Sequence, residues 1–454
     1  MDENLKELLR EWDKKHVWHP FTQMKEYVES DPLIIERGDG FYLIDVDGKR
    51  YIDGTSSIWV NVFGYTREEL IKAIVEQAYK LPHSTLLGLA NIPSILLAKR
   101  LTELLPEGLN KVFYSDNGST AVEVALKMAF HFWQHKGEKK RRSFVCFRNG
   151  YHGDTLGAVS VGGIDLFHKI YRPLLFKSYK APSPYCYRCP LKLDRSKCAM
   201  ECASIFEHIV MEHKDELCGV IIEPYVQGAG GIIVQPEGFL SRVWKVTKEN
   251  DLLFIADEVA TGFGRTGTLF ACEREGVRPD IICLAKGITG GYLPLAATVT
   301  TDEIYEAFLG SYEEFKTFFH GHTYTGNPIA CNLGLANLEL FEKENLLEKI
   351  RAKIEFARGE LGRFNELAHV GDVRQGGMMI GIELVQTKKD KKSYPPERKM
   401  GQKVILKARE MGLIIRPLGD VVVIMPPLAI DEETLKKIFD IVFESIYEVT
   451  EKEG

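Results

Sequence analysis

An α/β fold with a mostly parallel sheet, joined to a smaller α+β domain, is what this sequence predicts, and three observations predict it. Between positions 68 and 325, segments of helical period alternate with short apolar runs, and such alternation makes a parallel sheet covered by helices on both faces. Beyond that stretch, long charged helical segments give way to a second set of short strand-like runs. Finally, 454 residues exceed the usual reach of one hydrophobic core, so more than one domain is expected.

The elements follow in order. Residues 1–15 are charged and helical in period. Residues 32–54 alternate as short strands, with Asp47-Gly48 as a hairpin turn between 41–44 and 50–52. Then come a helix at 67–79, a strand at 112–114, a helix at 119–135 and a strand at 143–147. A strand at 219–223, a helix at 239–250 and apolar strands at 252–256 and 281–285 complete this region. Residues 333–364 read as helical, followed by a strand at 378–384, a helix at 400–410, strands at 413–415 and 421–425, and a last helix at 431–448. The expected division is an N-terminal segment 1–66 that joins the small domain, a large domain 67–325 and a C-terminal small domain 326–454, with a cleft between large and small parts.

Composition narrows the function. At 45% hydrophobic and 27% charged the chain reads as an ordinary soluble protein. A net charge of −6, with no basic run longer than Lys139-Lys140-Arg141-Arg142, argues against a nucleic-acid partner. The start has no apolar signal core, and no apolar run approaches membrane-spanning length. A cytoplasmic location is expected, and nine cysteines without a secretory signal suggest thiols in a reducing compartment.

Two strand ends carry the chemistry. Lys286 directly follows the apolar run 281–285 and precedes a glycine-rich stretch, and Asp257 ends the run 252–256. A lysine at the end of a buried strand is partly out of water, which favours its neutral, nucleophilic form. If the two strands are parallel neighbours, both ends reach the rim where such sheets bind ligands. A lysine for Schiff-base formation and a carboxylate to hold a pyridine nitrogen protonated are the minimal set for pyridoxal phosphate. A solvated lysine and a helix-capping carboxylate are the plain alternatives for either residue alone. Ser115-Asp116-Asn117-Gly118-Ser119-Thr120 lies between a strand and a long helix, as a phosphate site needs; N-capping by Ser119 or Thr120 is its plain alternative. Tyr151, in Gly150-Tyr151-His152-Gly153, could stack on a planar cofactor or plug the core. His320-Gly321-His322-Thr323 argues weakly for metal, and Thr323 suits a phosphate better.

With these motifs the chain resembles the class III, fold-type I aminotransferases. The resemblance rests on Gly118-Ser119, Gly150-Tyr151-His152-Gly153-Asp154-Thr155, Ile222-Glu223-Pro224, the run from Asp257-Glu258 to Thr266-Gly267, Lys286-Gly287 and His320-Gly321. It extends nearly end to end through Trp18-His19-Pro20-Phe21-Thr22, Asp53-Gly54-Thr55-Ser56-Ser57, Thr325-Gly326-Asn327-Pro328 and Arg416-Pro417-Leu418-Gly419. Within the class the sequence is most similar to the branch that works in biotin biosynthesis. The resemblance implies a fold-type I pyridoxal-phosphate transferase in which Lys286 holds the cofactor and moves the proton, and Asp257 pairs with its ring nitrogen. Tyr151 and His152 would lie against the ring, and Gly118, Ser119 and Thr323 would hold the phosphate with His322 beside it. It also implies a homodimer in which the segment 321–323 serves the neighbouring subunit. Phe21, Ile58, Tyr151, Lys286, Gly321 and Arg416 would meet substrate, Arg416 by clamping a carboxylate.

Three positions depart from the best-known form of that branch. Phe21 replaces a tyrosine, Ile58 a tryptophan and Val423 another tyrosine, which leaves S-adenosylmethionine and lysine both open as amino donor. A transaminase of another ω-amino acid or diamine is the nearest alternative. A non-catalytic, metal-stabilised binding protein is the alternative of another class. The insert Cys186-x2-Cys189-x8-Cys198-x3-Cys202 has spacings that a structural zinc could use, or it is a loop of free thiols.

Overall fold

Apolar runs separated by amphipathic helices assemble into a seven-stranded sheet, in the order Leu109–Ser115, Ala296–Thr301, Ile281–Leu284, Leu253–Asp257, Leu217–Ile222, Ser143–Phe147, Ser178–Ala181. The computed structural model describes residues 2–452; Met1, Glu453 and Gly454, the outermost positions of the expected terminal segments, lie outside the described residues. Pairing is parallel throughout except at Ala296–Thr301, which is antiparallel to both neighbours. That strand is absent from the reading of the sequence. The connection from Leu284 to Ala296 is shorter than the dozen or more residues a parallel crossover needs, so the chain returns antiparallel.

Helices cover the sheet with their apolar faces. Gly118–His135 buries Val122, Ala125, Ala129 and Phe132 at helical spacing. The helical segment expected at 333–364 is two helices, Pro328–Lys343 and Leu346–Leu361. Asn345 stands between them at φ +49°, a left-handed turn that asparagine tolerates better than most residues. Ile92–Leu104 and Glu201–His213 are helices that the sequence reading lacks. None of the described helices is long and apolar enough to cross a membrane.

Two four-stranded sheets and a two-stranded pair, Val226–Gln227 with Ile233–Val234, accompany the large one. Ile35–Asp39, Tyr42–Asp45 and Arg50–Asp53 form antiparallel pairs, with Gly48 at φ +83° in the expected turn. Leu413–Ile414 adds to this sheet in parallel, Leu413 opposite Ile52 and Ile414 opposite Asp53. The second sheet is antiparallel, in the order Val370–Gly376, Met379–Leu384, Val421–Ile424, Arg416–Leu418. A buried ion cluster ties it to the cysteine insert. Arg374 reaches Glu383 at 2.5 Å and Asp372 at 2.8 Å, while Tyr185 and Arg188 of the insert also bond to Glu383.

For the cysteine insert the sequence left structural zinc and a loop of free thiols both open. Cys186, Cys189, Cys198 and Cys202 do line one cavity of about 290 Å³. Among the described residues, however, no three histidine, cysteine, aspartate or glutamate side chains form a group that could hold a metal ion. Two of the thiols make local contacts: Cys198 donates to Glu201 at 2.8 Å and accepts the Met200 N–H at 3.3 Å, and Cys186 donates to the Pro184 carbonyl at 3.7 Å.

Candidate active site

The register of the central sheet builds the site. Asp257 lies opposite Cys283 on the neighbouring parallel strand, and Ala256 lies opposite Ile222 on the other side. Three strand ends therefore bring Glu223, Asp257 and Lys286 to one rim. They line a cavity of about 460 Å³ together with Ile58, Trp59, Gly118, Ser119, Tyr151 and His152. That volume lies in the range of small-molecule sites.

Lys286 turns out of its strand at φ +48°, a left-handed geometry that costs a side-chain-bearing residue about 1–2 kcal/mol. The turn is fixed by Asn337, whose side-chain N–H groups reach the carbonyls of Gly287 (2.9 Å) and Ile288 (3.2 Å). The lysine stem lines the cavity and its amine lies deep, 4.8 Å from the centre of the Trp59 ring. Burial pulls the ammonium down to about 8, against the opposing pull of Asp257 and Glu223. A substantial neutral fraction at physiological pH is what a nucleophilic amine requires.

Asp257 is 4% exposed, sits 2.6 Å from His152 Nδ1 and accepts the Val259 N–H at 3.1 Å. Its carboxylate is oriented from two sides. Glu223, also buried, accepts the N–H groups of Tyr151 at 2.9 Å and Gly228 at 2.8 Å, and burial pushes its carboxyl up to about 7. Tyr151 donates to Asp154 at 2.7 Å, and burial with that contact raises its phenol.

The expected phosphate site falls at the start of Gly118–His135. Asn117 caps this helix by accepting the Thr120 N–H at 3.1 Å, and Thr120 returns a bond to the Asn117 N–H at 3.1 Å. Capping thus falls to Asn117 rather than to Ser119 or Thr120. The first-turn N–H groups of Gly118 and Ser119 are left at the cavity wall. A Cβ at Gly118 would stand 2.5 Å from Val259 Cγ1, so only glycine fits this approach.

The remaining expected residues lie elsewhere. Arg416 and Phe21 are together outside the cavity lining, the guanidinium 5.9 Å from the ring centre. Phe21 packs edge-on against Phe167 at 5.3 Å, and Phe167 lies 6.4 Å from Tyr151. Gly321 and Thr323 are exposed and line no wall of this chain's cavity; His322 Nδ1 is 2.7 Å from Asp116 Oδ2. His320 sits 2.9 Å from Lys127 Nζ. Trp59 and Glu223 received no role from the sequence. Glu223 carries the same signal as Asp257, a carboxylate ending an apolar run. Trp59 comes from a turn with Ser56, Ser57 and Trp59 all at positive φ, which no local pattern announces.

A strand-end lysine facing a buried carboxylate, beside a helix N-terminus cleared by glycine, is a donor set for a phosphorylated pyridine aldehyde. The chain belongs to the aminotransferase class-III family, whose description matches residues 24–446. It is 56% identical over 443 residues to the adenosylmethionine-8-amino-7-oxononanoate aminotransferase of Geobacter sulfurreducens, covering 97% of this chain and 98% of that one. It is 52% identical to the enzyme of the same name from Methanocaldococcus jannaschii, with 98% of each chain covered. The crystal structure of the Methanocaldococcus jannaschii enzyme superposes with a TM-score of 0.94 at 51% identity, over 98% of this chain and 99% of that one. A thermostable (S)-enantioselective omega-transaminase from Thermomicrobium roseum superposes at 0.92 with 35% identity, over 98% of each chain. The fold-type I expectation and the aminotransferase class are therefore met.

Proposed function

We propose that this chain is a pyridoxal-phosphate aminotransferase of biotin biosynthesis, which converts 8-amino-7-oxononanoate to 7,8-diaminononanoate with S-adenosylmethionine or lysine as donor. The observation that carries the substrate is near full-length identity of 52–56% to relatives named for this reaction, against 35% for an omega-transaminase of equal coverage. The reading as another ω-amino acid or diamine transaminase is correspondingly less favoured.

Bound pyridoxal phosphate supplies an electron sink for a carbanion at the donor or acceptor carbon. The protein does the rest. Lys286 holds the group and carries the proton between carbons from its amine. Asp257, pinned by His152 and the Val259 N–H, keeps a negative charge against the ring nitrogen. Gly118 and Ser119 hold the phosphate, and Tyr151 walls the ring and keeps water from one face. Arg416 has no carboxylate partner among the described residues and takes the oxononanoate carboxylate.

Gly321, His322 and Thr323 of a second copy would complete the phosphate grip in a homodimer. Exposed apolar side chains support such an interface, with Leu87 at 89%, Ile92 at 73% and Phe319 at 72% exposure.

The direct test follows the absorbance of the cofactor-loaded protein during addition of S-adenosylmethionine or lysine alone, then of 8-amino-7-oxononanoate. Loss of the band with one donor and its return with the oxo acid is expected. Return with unrelated ω-oxo acids only would transfer the chain to the alternative. Arg416→Ala should raise KM for the oxo acid about 10–100-fold, the value of one charge-assisted bidentate contact. Its half-reaction with a donor should change far less, as stopped-flow traces would show.

A further inference from the structure

Glu223 is a buried carboxylate of the cavity for which the transamination described above has no task. Its backbone is fixed, because Gln235 donates to the Glu223 carbonyl at 2.7 Å. Its two side-chain oxygens diverge. Oε1 takes the N–H of Tyr151, which carries the ring that walls one side of the site. Oε2 takes the N–H of Gly228, whose position a Cβ would bring to 3.1 Å from Trp59 Cζ3. Trp59 in turn lies under the Lys286 amine. One side chain therefore joins the Tyr151 loop to the turn that backs Trp59, and Lys286 works between those aromatic walls.

We infer that Glu223 is a positioning residue that sets the separation of the Tyr151 and Trp59 walls by accepting the backbone N–H of Tyr151 and that of Gly228, which backs Trp59. This rests on the cofactor reading of the site. Both oxygens must accept for the span to hold. A glutamine presents an oxygen to one N–H and its own N–H₂ to the other, so one end is lost at unchanged length. An aspartate keeps the charge and is one methylene too short to reach both. Burial raises the Glu223 carboxyl despite the opposing pull of His152 and of the two backbone donors, in keeping with a group kept for its acceptors.

The test uses the cofactor-loaded full-length protein and the variants Glu223→Gln and Glu223→Asp. It measures the visible circular dichroism of the bound cofactor, which reports how the ring is held, together with kcat, KM and cofactor stoichiometry. Both variants should bind cofactor fully, lose at least half of the dichroism and lose about tenfold or more in kcat, with KM changed less than threefold. Wild-type dichroism and kcat in Glu223→Asp would overturn the inference and assign the residue a purely electrostatic role. If neither substitution folds, Gly228→Ala leaves the carboxylate intact and presses on Trp59; unchanged dichroism there would equally overturn it. Failure of the wild-type protein to bind pyridoxal phosphate would instead sink the cofactor reading beneath it.

Discussion

Lys286→Ala is expected to abolish transamination, with a loss of at least about 10⁴-fold, because on the proposed mechanism one amine would both hold the cofactor and relay its proton. Kinetics with added pyridoxal phosphate, and the absence of a lysine-dependent visible band, check this. The same change should stabilise the apoprotein at neutral pH. Burial lowers the Lys286 ammonium from 10.5 to about 8, so the unfolded chain binds the extra proton between those values and stability rises with pH through that window. Below pH 8 the wild type carries a penalty of roughly 3 kcal/mol, and the left-handed backbone at Lys286 adds to the strain. Alanine removes the charge. Its melting temperature should therefore exceed that of the wild-type apoprotein by a few degrees at pH 7, and the gap should close by about pH 11. A variant that melts lower at pH 7 would contradict the burial argument.

Asp257→Asn should cost kcat about 10²–10³-fold while leaving the fold intact. Asparagine keeps the oxygen that accepts the Val259 N–H, and the neighbouring side chains need not move. What disappears is the one negative charge aimed at the place where the ring nitrogen must stay protonated. His152, 2.6 Å away, has to change tautomer to accept from the new amide. The measurement is the half-reaction rate at saturating cofactor, with cofactor content determined separately. Retention of more than a tenth of the rate would mean that Asp257 orients His152 and little else.

The pair Lys286 and Asp257 was legible because each ends an uninterrupted apolar run, and a buried strand announces its end when a charge appears. Their proximity needed only the parallel pairing of Leu253–Asp257 with Ile281–Leu284. Glu223 closes a similar run one strand over and was legible on the same ground, but as a motif it passed without a role. Trp59 was not legible. It reaches Lys286 through a turn of positive-φ residues whose stability comes from tertiary contacts, such as Arg265 bonding to the carbonyls of Pro426 (2.5 Å) and Asn61 (3.3 Å). The cysteine insert shows the converse limit. Spacing of the C-x2-C kind says that thiols can converge, and says nothing of the Glu201 and Pro184 oxygens that compete for their hydrogens.

Leu413–Ile414 zips onto Arg50–Asp53, so strands from opposite ends of the chain share one small sheet. The turn that delivers Ile58 and Trp59 begins directly after that strand. On the ribosome, the hairpin Tyr42–Asp53 must wait as an open edge until nearly the whole polypeptide has emerged, a long-range closure of the kind that slows folding. The Trp59 wall is thus among the last parts to set. A nascent chain carrying Lys286 and Asp257 has its reactive groups long before it has a finished pocket, and mature catalytic geometry is gated by completion of synthesis.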